Sequence, residues 1–96
     1  MAGPRDRLRA VLHALSDPVR LEMVRRLRDA GTDQGCAALY DELPKSTASY
    51  HFATLRACGL IEQYTVGGRR LNRLHADDLD RLAPGLLDIV LAVPML

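Results

Sequence analysis

The side chains best equipped for chemistry lie in two short runs. Lys45-Ser46-Thr47-Ala48-Ser49-Tyr50-His51 gathers hydroxyls, an imidazole and a cation, and Gly67-Gly68-Arg69-Arg70 sets two guanidiniums beside two glycines. Small hydroxyl side chains let a helix backbone come close to base edges and exchange hydrogen bonds with them, while Tyr50 and His51 add reach. Guanidiniums beside a glycine tip suit phosphate oxygens. With Arg56, these groups are fitted to read and grip a nucleic-acid duplex rather than to break bonds. The sequence holds no Gly-rich phosphate loop, nucleophile elbow, HExxH motif or paired catalytic carboxylates, so no enzyme is expected.

Charge supports the same face. The 96-residue chain has a net charge of +1, but from position 45 to position 75 Lys45, Arg56, Arg69, Arg70 and Arg73 stand against the single acid Glu62. On charge alone such a basic third is a solvated face with scattered arginines or a polyanion-binding one, and the two motifs favour the second.

The elements that must position these groups follow from spacing and punctuation. Leu8, Val11, Leu12 and Leu15 repeat at helical intervals, predicting a first helix over 5–15. Asp17 and Pro18 open a second, capped by the carboxylate and closed by Gly31. Cys36, Leu39, Tyr40 and Leu43 predict a short third helix ended by Pro44. Ser46 is expected to cap a fourth, buried along Ala48, Phe52 and Leu55, with Gly59 as its left-handed terminus. From Leu60 to Leu74 the pattern becomes extended, and Gly67-Gly68 is a two-residue hairpin tip. That tip pairs Val66 with Arg69, Tyr64 with Leu71, Glu62 with Arg73 and Ile61 with Leu74. Beyond position 76, Leu79, Leu82, Leu86, Leu87, Val90 and Leu91 keep helical spacing, broken at Pro84-Gly85 into a kink or two short helices. Asp77, Asp78 and Asp80 favour a helix start.

This order is that of a mainly α (α+β) winged helix-turn-helix domain over residues 1–96. It has about five helices and a two-stranded β-hairpin wing, with the helix-turn-helix at 36–58 and the wing at 60–74. The fourth helix is the one that enters a major groove. The motifs also resemble a known family. Ala14-Leu15-Ser16-Asp17-Pro18-Val19-Arg20-Leu21 is similar to the "ALADPTRL" opening of the arsenical-resistance-repressor (ArsR) family. Ser46 to Phe52, followed by Leu55-Arg56-Ala57-Cys58-Gly59-Leu60-Ile61, resembles its "S-x-x-S-H-H-L…LREAGLV" recognition helix. The resemblance implies a homodimeric DNA-binding transcriptional regulator, usually a repressor that releases its operator on sensing an inducer. In two places the sequence departs from the pattern: Tyr50 replaces a frequent His, and the loop before the recognition helix is about two residues shorter. The operator sequence is therefore not carried over, and the inducer is not named.

Family metal sites do not carry over either. Gly35-Cys36-Ala37-Ala38-Leu39 keeps one thiol of the third-helix site, and residues 76–96 contain no His, so no metal and no cofactor is expected. Cys36 and Cys58 both fall on apolar stripes and read as packing residues, and His13 and His75 as ordinary histidines. The DNA-binding residues are thus expected to be Lys45, Ser46, Thr47, Ser49, Tyr50, His51, Arg56, Arg69 and Arg70. Dimer contacts are expected from 1–15 and 76–96, through Leu8, Val11, Leu12, Leu79, Leu82, Leu86, Leu87, Val90 and Leu91. The alternatives are a thiol-based redox-sensing regulator and a winged-helix protein-interaction module that leaves DNA alone. No apolar run reaches the roughly 18–20 residues of a membrane span, and residues 1–9 carry no signal-like apolar stretch, so a cytoplasmic protein is expected.

Overall fold

Asp17 and Pro18 divide the first thirty residues into two helices. In the computed structural model, which describes residues 3–93, α1 runs Pro4–Leu15 and α2 runs Pro18–Ala30. Asp17 Oδ1 accepts the backbone N–H groups of Val19 (2.8 Å) and Arg20 (3.2 Å), satisfying donors that the first turn leaves open. Gly31, at φ 69°, ends α2 in the left-handed conformation that favours glycine.

The predicted third helix is shorter than its spacing implied. Only Cys36–Leu39 is helical, as one 3-10 turn, and Tyr40 is already extended. Asp41 is drawn back onto α2, where Arg26 grips it through Nη1 (3.2 Å) and Nη2 (2.5 Å), and Pro44 disfavours a helical Leu43. The recognition helix, α3, runs Lys45–Ala57 with Pro44 rather than Ser46 at its N-cap. Ser46 is therefore inside the first turn and its hydroxyl is not spent on capping.

β2 (Ile61–Val66) and β3 (Arg69–Leu74) form the hairpin in the register counted from its tip, with Ile61 opposite Leu74, Glu62 opposite Arg73 and Tyr64 opposite Leu71. Gly67 and Gly68 have φ of 56° and 78°, as the tight twist-matched turn requires. A third strand, β1 (Gln34–Gly35), pairs antiparallel with β3, giving the order β1-β3-β2. The C-terminal stripe breaks at Pro84-Gly85 into α4 (Ala76–Leu82) and α5 (Leu86–Ala92). The described residues thus hold five α-helices: the expected third helix is reduced to a 3-10 turn, and of the kink or two short helices expected at Pro84-Gly85 the structure has the two short helices.

Side chains from every helix meet in one aliphatic core around Val11, Met23, Val24, Leu39, Leu55, Leu60 and Leu79. The lone Phe, Phe52, stands edge-on to Tyr40 with ring centroids 6.1 Å apart. The core holds the inner face of α3 and leaves its outer face to solvent.

Candidate nucleic-acid interface

Ala48, Phe52 and Leu55 anchor α3 in the core, one, two and three turns along the same stripe. The opposite surface carries Lys45, Ser46, Thr47 and Ser49, all exposed, and Tyr50, whose side chain is 61% exposed. No acidic residue occupies the first turn. The open N–H groups and dipole of that turn add positive potential where Lys45 stands. Thr54 differs from the other hydroxyls because its Oγ1 donates to the Tyr50 carbonyl (3.1 Å).

His51 does not join this face, which corrects the sequence reading. It is 7% exposed and points inward between Ala48 and Leu55, where its Nδ1 lies 3.1 Å from Nη1 of Arg20. Arg20 is itself buried, and its Nε donates to the Ala14 carbonyl at 2.8 Å. The signal was present in the spacing. Positions 48, 51, 52 and 55 complete one helical stripe, so the imidazole had to be inside.

The wing brings the other cations alongside. Arg69 and Arg70 are exposed next to the Gly67-Gly68 tip. The Arg69 guanidinium lies across Gly35 so closely that a Cβ there would sit 3.1 Å from its Nη2. Arg56, at the far end of α3, donates to Gln63 of β2. Gln63 in turn donates to Asn72 Oδ1 (2.7 Å), and Asn72 Nδ2 donates to the Gln34 carbonyl (3.1 Å). Cys36 Sγ accepts from Asn72 at 3.4 Å and from Gln63 at 3.6 Å. This network, which sequence pattern alone did not reveal, ties the recognition helix to all three strands. Between helix and wing opens a cleft of about 530 Å³, lined by Lys45, Ser49, Arg56 and Arg70 and by no carboxylate. Arg73 is engaged elsewhere, paired with Asp33 and Glu62 at 3.2 Å and lying 4.8 Å from the Tyr64 ring centroid. The arrangement is a polar helix face flanked by cations that, among the described residues, pair with no carboxylate, and it is shaped for a polyanionic groove.

Comparison with known proteins agrees with that geometry. Residues 15–64 match the protein family described as Helix-turn-helix domain. The chain is 35% identical over 86 residues to the uncharacterized HTH-type transcriptional regulator YceK of Bacillus subtilis, covering 86% of each. An ArsR-like transcriptional regulator from Rhodococcus superposes with a TM-score of 0.72 at 31% identity, over 92% of this chain and 83% of that one. The chain belongs to the ArsR family. It is a DNA-binding transcriptional regulator of that family, and the relatives named here are transcriptional regulators. It is also 37% identical over 81 residues to the HTH-type transcriptional regulator CmtR of Mycobacterium tuberculosis, covering 83% of this chain and 68% of that protein.

The residues of this ArsR-family chain expected as dimer contacts separate into buried, half-buried and exposed sets. Val11 and Leu79 are fully enclosed by the chain's own core, and Leu87 and Leu91 nearly so. These four belong to the core, because the stripe that α4 and α5 share faces inward. Leu82, Leu86 and Val90 are half-buried at its edge, and Leu8 on α1 is half-buried as well. Leu12 is exposed, and so are Ile89 and Val93, which the sequence reading passed over. The last stretch of the expected contact segment, positions 94–96, and positions 1–2 lie outside the described residues. Among the described residues no helix is long and apolar enough to cross a membrane. Cys58 is buried at the end of α3, and burial pushes its thiol up, away from the reactive thiolate.

Proposed function

We propose that the protein acts in the cytoplasm as a homodimeric repressor on a pseudo-palindromic operator. In this reading 36–58 is the helix-turn-helix, 60–74 the wing, and 1–15 with 76–96 the dimerisation segments of one domain. Lys45, Ser46, Thr47, Ser49, Tyr50 and Arg56 meet the major groove, and Arg69 and Arg70 hold the adjacent backbone. The observation that carries it is the unspent polar face of α3 beside a cleft lined by Lys45, Arg56 and Arg70 without an acid. Exposed apolar side chains at Leu12, Ile89 and Val93 support the second copy. Selection of bound sequences from a random duplex pool tests the whole reading. It should return two inverted half-sites about one helical turn apart, roughly 34–36 Å. The same selection under reducing and oxidising conditions separates it from a thiol-switched regulator, whose enrichment would depend on reductant. A pool that stays unenriched would favour the protein-interaction module instead.

A further inference from the structure

Behind the reading face, α3 carries a polar contact that its apolar stripe does not need. His51 takes an inward position where a leucine would pack, and it meets Arg20, which is 5% exposed. A guanidinium has donors and no acceptor. The 3.1 Å approach of Arg20 Nη1 is therefore a hydrogen bond only if His51 Nδ1 is the bare acceptor and the ring proton sits on Nε2. The other end of Arg20 is fixed, since Nε donates to the Ala14 carbonyl near the end of α1. The pair thus ties α3 to both α1 and α2.

The charged and titratable groups that face the imidazole are few. From the start of α2 come Arg20 and the N-cap carboxylate of Asp17, which feels the charge of Arg20 and would feel that of a protonated His51. Its Oδ1 is already taken by the amides of Val19 and Arg20. From α3 itself comes Tyr50, whose ring stands edge-on to His51 with centroids 5.6 Å apart. α1 presents the Ala14 carbonyl, and Cys58 lies near the guanidinium. Asp17 moderates a positive imidazole but makes no hydrogen bond to it.

We infer that Arg20 and His51 are a positioning pair that holds the recognition helix at its reading angle only while His51 is neutral, so that acidification weakens operator binding. The inference rests on the reading of α3 as the DNA-contacting helix. Protonation turns Nδ1 from acceptor into donor and sets two cations against each other in a buried place. The imidazolium then leaves its seat or α3 shifts on the core. Ser49 and Tyr50 are the next positions along the backbone, and Tyr50 is in ring contact with His51, so either response moves the reading face. By linkage, protons and operator compete: what binds the neutral form is driven off by what stabilises the charged one. The sign is distinctive. Protonating a surface histidine such as His13 adds positive charge and strengthens binding to a polyanion, whereas protonating His51 weakens it.

The test compares the parent with His51→Gln, whose amide oxygen keeps an acceptor toward Arg20 and does not titrate. Binding is measured from about pH 8 to about pH 5.5, the range over which imidazoles change charge. The probes are the duplex recovered by selection and a mixed-sequence duplex. The parent should lose roughly tenfold more affinity for the selected duplex than the variant does across that range. Parallel profiles would overturn the inference. Failure to bind either duplex at any pH would overturn it together with the reading beneath it, and is told apart by the absence of binding itself. Long-range nitrogen–proton NMR of the free parent supplies a readout that needs neither DNA nor a folded variant. It should show the proton on Nε2 of His51 at about pH 8. A proton on Nδ1 would rule the brace out.

Discussion

Ser49 and Tyr50 owe their positions to neighbours that contact no ligand. Ala48 and Phe52 lock the helix face beneath them, so their side chains emerge from a fixed backbone rather than a mobile loop. Replacing either by Ala should cost about 1–3 kcal/mol on a selected operator and little on mixed-sequence duplex, as equilibrium binding to both probes would measure. Equal losses on both would mean that they grip phosphate. Asp17 acts on the fold instead. Burial opposes its charge, but the amides of Arg20 and Val19 together with nearby positive charge such as that of Arg20 hold its carboxyl below the ordinary range. A depressed folded-state value means that its stabilisation is complete above the unfolded value of about 3.9 and is lost as pH falls through the folded one. Asp17→Ala should therefore cost about 0.5–2 kcal/mol at neutral pH, read from denaturant midpoints. The difference from the parent should close below about pH 4.

At the scale of elements, the wing is positioned by more than its own turn. Asn72 joins β3 to β1 and, through Gln63, to Arg56 on α3, so the guanidiniums at the tip project from a braced sheet. Neutralising Arg69 and Arg70 together should lower affinity on every duplex and flatten the salt dependence by about one to two units, without altering the preferred sequence. An unchanged slope would assign the hairpin to another task. The hairpin register was legible because two adjacent glycines admit one tight turn, from which every cross-strand pair can be counted. The bounds of α1, α2 and the C-terminal break were legible because Pro, Gly and Asp have few alternatives at helix ends. β1 was not: two residues are too few for alternation, and their pairing depends on Asn72, thirty-eight positions away. The shortened third helix was hidden for a similar reason, since Arg26 on α2 pulls Asp41 out of line. His51 was grouped by helix position with Ser49 and Tyr50 although positions 48, 51, 52 and 55 share one stripe, and its buried partner Arg20 satisfies the imidazole inside.

The whole molecule is small enough that its last two helices must serve both core and surface. Ion pairs pin them to the protomer: Arg7 of α1 with Asp78 of α4, and Arg28 of α2 with Asp88 of α5 at 2.9 Å. Leu79, Leu87 and Leu91 then point into the core, which leaves Ile89 (71% exposed) and Val93 (64%) on the outside, with Leu12 of α1 also uncovered (45%). A domain of this size buries only about 60–65% of its unfolded surface, so apolar side chains left on the outside are a reason to recruit a second copy. A two-fold pair formed through α1 and α5 would set two copies of α3 about one DNA turn apart, roughly 34–36 Å. This geometry also selects the informative variant. Leu87→Glu would put a charge into the protomer's own core and unfold it, whereas Ile89→Glu alters a side chain that the protomer leaves in water. Light scattering or sedimentation at micromolar concentration should find the parent a dimer and Ile89→Glu a monomer with parental helix content. The variant should bind an isolated half-site as the parent does and a full operator far more weakly, because each half is then held alone. A parent that is a stable, well-folded monomer would defeat the dimer, and a variant that stays dimeric would move the interface away from α5.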